Sequence, residues 1–240
     1  MNYKKNERYF SKGGGAGKFV FLFILILATI VLFKMNQTMY GQYGIGAVVL
    51  TIVVMVLTRR PSDAYIDGVV AEEMKKLEAA ALKKLGLDKE EVSVAEPIMT
   101  YGYLTKVNQI SIADETLGKT KIVTGKDKLE RSPVVGMHFF GFSENEIYYY
   151  GQEISLVSDT CRAITSVINY GDVVSVRSDT VIEPAVDFET GKEDPKKRVK
   201  SDFFSVNAGG DSIVCFVRNS DEADAHVNAL RALVKQKKNA

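Results

Sequence analysis

The sequence predicts a membrane-anchored α+β chain: a two-helix transmembrane hairpin, an amphipathic connector helix, and a mainly antiparallel β domain with a C-terminal helix. Three observations carry this expectation. Apolar residues crowd into the first quarter of the 240 residues, while most of the charge follows Arg59. From Ser62 to Leu85 apolar residues recur at helical spacing. Beyond Val92 the apolar period is mostly two, with turn signals between short runs. The expected segments are a basic tail (1–18), the hairpin (19–58, its helices about 19–35 and 40–58), the connector (62–86) and the β domain (92–240).

The first apolar run, Phe19 to Phe33, is uncharged and bracketed by Lys18 and Lys34. It is short of the roughly 20 residues a bilayer requires, but lysines can snorkel and extend it. The second, Gly44 to Thr58, follows Tyr40 and Tyr43, whose rings suit the headgroup zone, and ends at Arg59-Arg60. A cleaved signal peptide is the competing reading, but no small-x-small cleavage site follows Phe33. Two buried core helices are another, disfavoured because neither run has a polar face. Lys4, Lys5, Arg8, Lys12 and Lys18 precede the first run, so the positive-inside rule places both termini in the cytoplasm of a multi-pass membrane protein. The bilayer is then the first expected partner. Gly13–Lys18 (GGGAGK) imitates a phosphate loop, yet Phe19 stands where Ser or Thr should hold magnesium and no strand precedes it. A flexible linker is the better reading.

In the connector, Ile66, Val70, Met74, Leu77, Ala81 and Leu85 form one apolar stripe, with Ser62 or Asp63 as cap and Gly86 as left-handed stop. The stripe packs on the domain or pairs with another copy; a signal-transmitting stalk is the sharper alternative.

Candidate strands follow at Ile98–Val107, Gln109–Ala113, Thr120–Val123, Val134–Phe142, Glu146–Val157, Ala163–Ile168, Asp172–Arg177, Lys200–Asn207 and Ser212–Arg218. Ser143–Asn145 and Ala208–Gly210 read as hairpin turns. The closing helix, 221–237, has Asn219 or Ser220 as cap, acids in its first turn and lysines in its last, as the helix dipole favours. Ala223, Val227, Leu230 and Val234 give it an apolar face.

Seven to nine antiparallel strands followed by one amphipathic helix is the order of a pleckstrin-homology-like (PH-like) barrel. Gly125–Ser132 (GKDKLERS), Phe139–Leu156 (FFGFSENEIYYYGQEISL) and Ile168–Val176 (INYGDVVSV) resemble an uncharacterised group of bacterial membrane proteins with PH-like domains. The closing FFSVNAGGDSIVCFV with its helix fits as well. The resemblance covers about half the chain, and its motifs are structural; it implies a fold and carries over no activity. Asp187–Pro195 (DFETGKEDP) reads as a loop particular to this sequence.

Chemistry-bearing motifs are scarce. A net charge of +1 gives no reason to expect nucleic acid, and the two cysteines, Cys161 and Cys215, read as small core hydrophobes. His138 and His226 have no partners at metal-ligand spacing and read as satisfied structural or surface histidines. No nucleophile elbow or Cys–His–Asn set is present. Asp187, Glu189, Glu193 and Asp194 lack the spacing of a calcium loop. Tyr148–Tyr150 imitates a base-stacking platform, but alternate strand residues face opposite ways and core packing is the ordinary account. No catalytic, cofactor-binding or metal-ligating residue is therefore assigned, and no cofactor is expected. Lys196, Lys197, Arg198 and Lys200 form the candidate contact site, for anionic phospholipid headgroups or an acidic partner, against the plainer reading of a solubilising loop. The function expected is a non-enzymatic interaction or scaffold module, tethered at the cytoplasmic face, that binds a protein or peptide or self-associates. Lipid or envelope-state sensing through the basic loop is the alternative, and a membrane enzyme with an unrecognised site comes last.

Overall fold

The computed structural model describes residues 1–11, 16–35, 38–57, 59–105 and 110–239. Of the expected features, Lys12–Gly15, Asn36, Gln37, Thr58 and Lys106–Gln109 lie outside them. The chain divides into two compact units, residues 11–61 and the remainder.

The smaller unit is a pair of helices, α2 (Ala16–Lys34) and α3 (Thr38–Leu57), packed on one another. A Cβ at Gly44 would lie 2.6 Å from the Thr29 hydroxyl, so glycine permits the close approach there. Thr29 Oγ1 donates back to the Leu25 carbonyl at 2.8 Å, which satisfies a hydroxyl turned into the helix contact. Among the described residues, no helix is long and apolar enough to cross a membrane. This overturns the expected transmembrane hairpin and, with it, the multi-pass placement with both termini cytoplasmic. Length is the physical reason. At about 1.5 Å per residue, Phe19–Phe33 spans roughly 22 Å, against a hydrocarbon core of about 30 Å. In α3 the apolar run begins only after Gln42, and from Gly44 to Leu57 it covers about 20 Å.

The larger unit is α+β. Its principal sheet has the order β1 (Ile98–Tyr103), β4 (Val134–Phe142), β5 (Glu146–Ser155), β6 (Cys161–Asn169), all antiparallel. Two short strands, β2 (Val123–Thr124) and β3 (Glu130–Arg131), make a small ribbon. The third sheet is β7 (Val173–Val186), β8 (Glu193–Ala208) and β9 (Asp211–Val217), followed by α6 (Ser220–Lys238). Among the described residues no ladder joins the four-stranded sheet to the three-stranded one. Asp187–Pro195 is no excursion: the strands extend to Val186 and from Glu193, and Asp187 Oδ1 accepts the Glu189 and Thr190 amides in the turn between them.

All nine residues of β4 are buried. Strand alternation sends Val135, Met137 and Phe139 to one face and His138, Phe140 and Phe142 to the other. The second face packs against β7–β9 and the stripe Ala223, Val227, Leu230 and Val234 of α6. The first is covered by helices: α4 (Asp63–Met74) and α5 (Leu77–Leu85) bury Ile66, Val70, Leu77 and Ala81 against it. The connector stripe thus packs on its own domain. It bends at Lys75-Lys76, where each lysine pairs with the glutamate three residues earlier. Ser62 caps its start, and Gly86, at φ 72°, ends it.

Residues 1–10, expected as part of a basic tail over 1–18, belong to this unit. They form helix α1 (Tyr3–Phe10), which buries Asn6, Tyr9 and Phe10 at i, i+3, i+4 spacing. Asn6 Nδ2 donates to the Leu156 carbonyl at 2.8 Å, and the Tyr9 hydroxyl donates to Asp63 Oδ1 at 2.7 Å. The next carboxylate on α4, Asp67, receives Arg131 through Nε and Nη2 at 2.9 and 2.7 Å. Asp127 takes the other side of the same guanidinium, at 3.0 and 2.7 Å. Arg131 is only 1% exposed. Its hydrogen bonds to Asp127 and Asp67 raise its pKa further, while those from Arg131 hold the Asp127 carboxyl down to about 2. A Cβ at Gly125 would lie 2.3 Å from Arg131 Nη1, so this glycine makes room for the guanidinium.

Two substitutions test this packing. Phe10→Ala should lower the unfolding free energy by about 3 kcal/mol; a solvated tail would leave the urea transition unmoved. Asp67→Ala, which leaves Arg131 buried beside one carboxylate, should cost about 3 kcal/mol in the same measurement.

Candidate functional site

On the inward face of the four-stranded sheet, cross-strand partners align in rows. Gly102, Gly136, Glu153 and Arg162 make one row; Thr100, His138, Gly151 and Ile164 make the next. Three of these eight positions are glycine, where a strand would ordinarily place side chains against the facing sheet. Each glycine has a local cause. A Cβ at Gly102 would lie 2.5 Å from the Phe216 backbone, where β1 crosses β9. At Gly151 it would lie 2.3 Å from the Tyr149 hydroxyl, and at Gly136 3.2 Å from His138 Nε2. With so little side chain on one wall, a cavity of about 480 Å³ remains between the sheets. Leu104, His138, Tyr149 and Ile164 line it from one side, Val181, Phe203 and Phe216 from the other.

His138 is 6% exposed, and its Nδ1 lies 3.0 Å from the Tyr149 hydroxyl. The same hydroxyl meets the thiol of buried Cys215. Desolvation drives three pKa values away from neutrality: His138 falls to about 3, Tyr149 rises, and Cys215 rises well above its usual value. The direction of the His138–Tyr149 hydrogen bond sets the tautomer: with the phenol as donor to Nδ1, the neutral ring carries its own proton on Nε2. That atom is buried and meets no hydrogen-bonding partner among the described residues. In that tautomer the site offers a neutral donor, and its histidine, tyrosine and cysteine all stay uncharged at neutral pH.

The basic residues singled out in the sequence are spread along β8. Lys197 Nζ is half-buried and donates to the Ile122 carbonyl at 2.8 Å; burial lowers its pKa. Lys200 pairs with Asp202 at 2.8 Å, and its amide donates to Glu130 at 3.1 Å. Arg198 and Lys200 line a second cavity of about 350 Å³ that also holds Asp67, Arg131 and Asp202. Lys196 is exposed, and its amide donates to Asp194. The structure therefore brings Arg198 and Lys200 together and ties Lys197 elsewhere.

His138, read from sequence as a satisfied structural or surface histidine, is buried with one ring nitrogen unpaired. The signal that could have found it is glycine within strands: Gly136 and Gly151 interrupt otherwise β-favouring runs on either side of it. No family model, curated protein or solved structure matches the chain.

Because the folded His138 pKa lies below its usual 6.5, the native ring binds fewer protons than the unfolded one between these values. Stability contributed by the neutral ring is complete above pH 6.5 and declines as pH falls toward 3. The imidazole signals of His138 should stay unshifted in an NMR titration from pH 7 to about 5, while the unfolding free energy falls over the same range. A titration midpoint near 6.5 would contradict the assignment.

Proposed function

We propose that the chain is a non-enzymatic, PH-like interaction module that takes an extended segment of a partner protein onto the edge of β6. Two antiparallel sheets of four and three strands followed by one helix support the PH-like reading. The single observation that carries the binding mode is β6 itself. It runs nine residues, pairs with β5 on one side, and has no strand on the other among the described residues. Its side chains are exposed on both faces, Ile164 to 48% and Val167 to 51%. Native edges are ordinarily guarded by charges, prolines or bulges. Here CRAITSVIN carries one charge, Arg162, no proline, and a register with β5 unbroken from Ile154–Cys161 to Glu146–Asn169. Such an edge presents backbone donors and acceptors to an added strand, which gains affinity from the ladder and specificity from alternate side chains. The neutral groups of the cavity support binding over proton transfer.

Peptides selected from a display library against the full chain should be extended and should protect the amides of residues 161–169 from hydrogen exchange. Methylating alternate backbone nitrogens of a selected peptide should weaken binding at least about tenfold in one parity and little in the other. Thr165→Lys should weaken it as well. Binding that survives methylation in both parities defeats the proposal.

A further inference from the structure

We propose that the cavity beside His138 is a binding site for a small, uncharged, mostly apolar molecule bearing a carbonyl or ether oxygen that accepts a hydrogen bond from His138 Nε2. This goes beyond strand addition at β6 and does not depend on it.

The volume, about 480 Å³, falls within the range of small-molecule pockets, whose walls are mostly apolar with a few placed polar groups. Leu104, Ile164, Val181, Phe203 and Phe216 supply the apolar part. Two independent features set the polar part. The first is Nε2: it is buried in the cavity wall, unpartnered among the described residues, and fixed in direction by Tyr149 on the opposite side of the ring. Buried donors are ordinarily paired, so an acceptor in the ligand would supply the missing bond. The second is charge. Among the described residues that line the cavity, the charged ones are Glu153, Glu183 and Arg162, two acids against one base. An anionic ligand would face these two carboxylates, and a cation would meet the positive end of an N–H dipole. A neutral acceptor matches both. Gly136 leaves room beside Nε2 that a Cβ, 3.2 Å from that atom, would take up.

The test uses the full chain and two neutral dyes, the naphthyl ketone prodan and its parent dimethylaminonaphthalene, which lacks the carbonyl. Prodan should bind saturably, one molecule per chain, and at least about tenfold more tightly than the parent, the worth of one buried hydrogen bond. Gly136→Ala, whose methyl takes up the room beside Nε2, should abolish that preference. Val181→Trp, which fills the cavity from the facing sheet, should weaken both dyes. In parallel, the Nε2 proton of His138 should move downfield on addition of prodan and stay put with the parent. The proposal is overturned by absence of saturable prodan binding, by equal affinity for the two dyes, or by a preference that persists in folded Gly136→Ala. Should that variant fail to fold, an Nε2 proton unmoved by saturating prodan overturns it alone.

Discussion

β4 has no side that faces water, and the arrangement of the larger unit follows from that. A strand buried on both faces needs a cover on each. One cover comes from the second half of the chain, as β7–β9 with α6. The other comes from the first half, as α1, α4 and α5. The hydrophobic effect rewards both without distinguishing them, and it is blind to direction. Direction is supplied by polar contacts at the helical cover. Asp63 and Asp67, one turn apart on α4, hold Tyr9 and Arg131 by the fixed geometry of hydroxyl and guanidinium. The Gly125–Ser132 motif therefore acts as a fastening: its glycine makes room, its Asp127 and Arg131 close the pair.

The inward face follows a different rule. Toward the Phe140 end, aromatic side chains from both sheets fill the space, as Phe140 against Tyr149 and Phe204. One step along the strands, glycines replace them and a cavity remains instead. The polar chain Cys215–Tyr149–His138 lies at this boundary between filled and open core. Buried networks are costly when half satisfied. This one leaves His138 Nε2 without a partner among the described residues, which separates it from the Asp114 cluster, where Ser155, Ser158 and Thr116 share one carboxylate.

Much of the secondary structure is legible in the residues. The Ser143–Asn145 and Ala208–Gly210 turns, the Asn219 cap and the left-handed Gly86 are local signals with local causes, and each stands where the chemistry of turns and caps puts it. Tertiary facts are less visible. In α1 the buried residues are Asn6, Tyr9 and Phe10, and the lysines and arginine around them dominate the composition, so a docked helix has the look of a basic arm. The apolar helices α2 and α3 mislead in the opposite sense: their composition suits lipid, and their length does not. The cavity is hidden because its makers are residues without side chains. Periodicity counts what is present; here the information lies in what three glycines leave out.

The hydrogen bond from Asn6 to Leu156 joins positions 150 apart. During synthesis α1 emerges early, yet the sheet face it covers is incomplete until β4 and β5 have followed. The ribosome must therefore release more than half of the larger unit before Asn6 can reach its partner. Over that interval Tyr9 and Phe10 lack the sheet against which they are buried in the fold. Closure of the helical layer thus waits on strands made well after the helix that completes it.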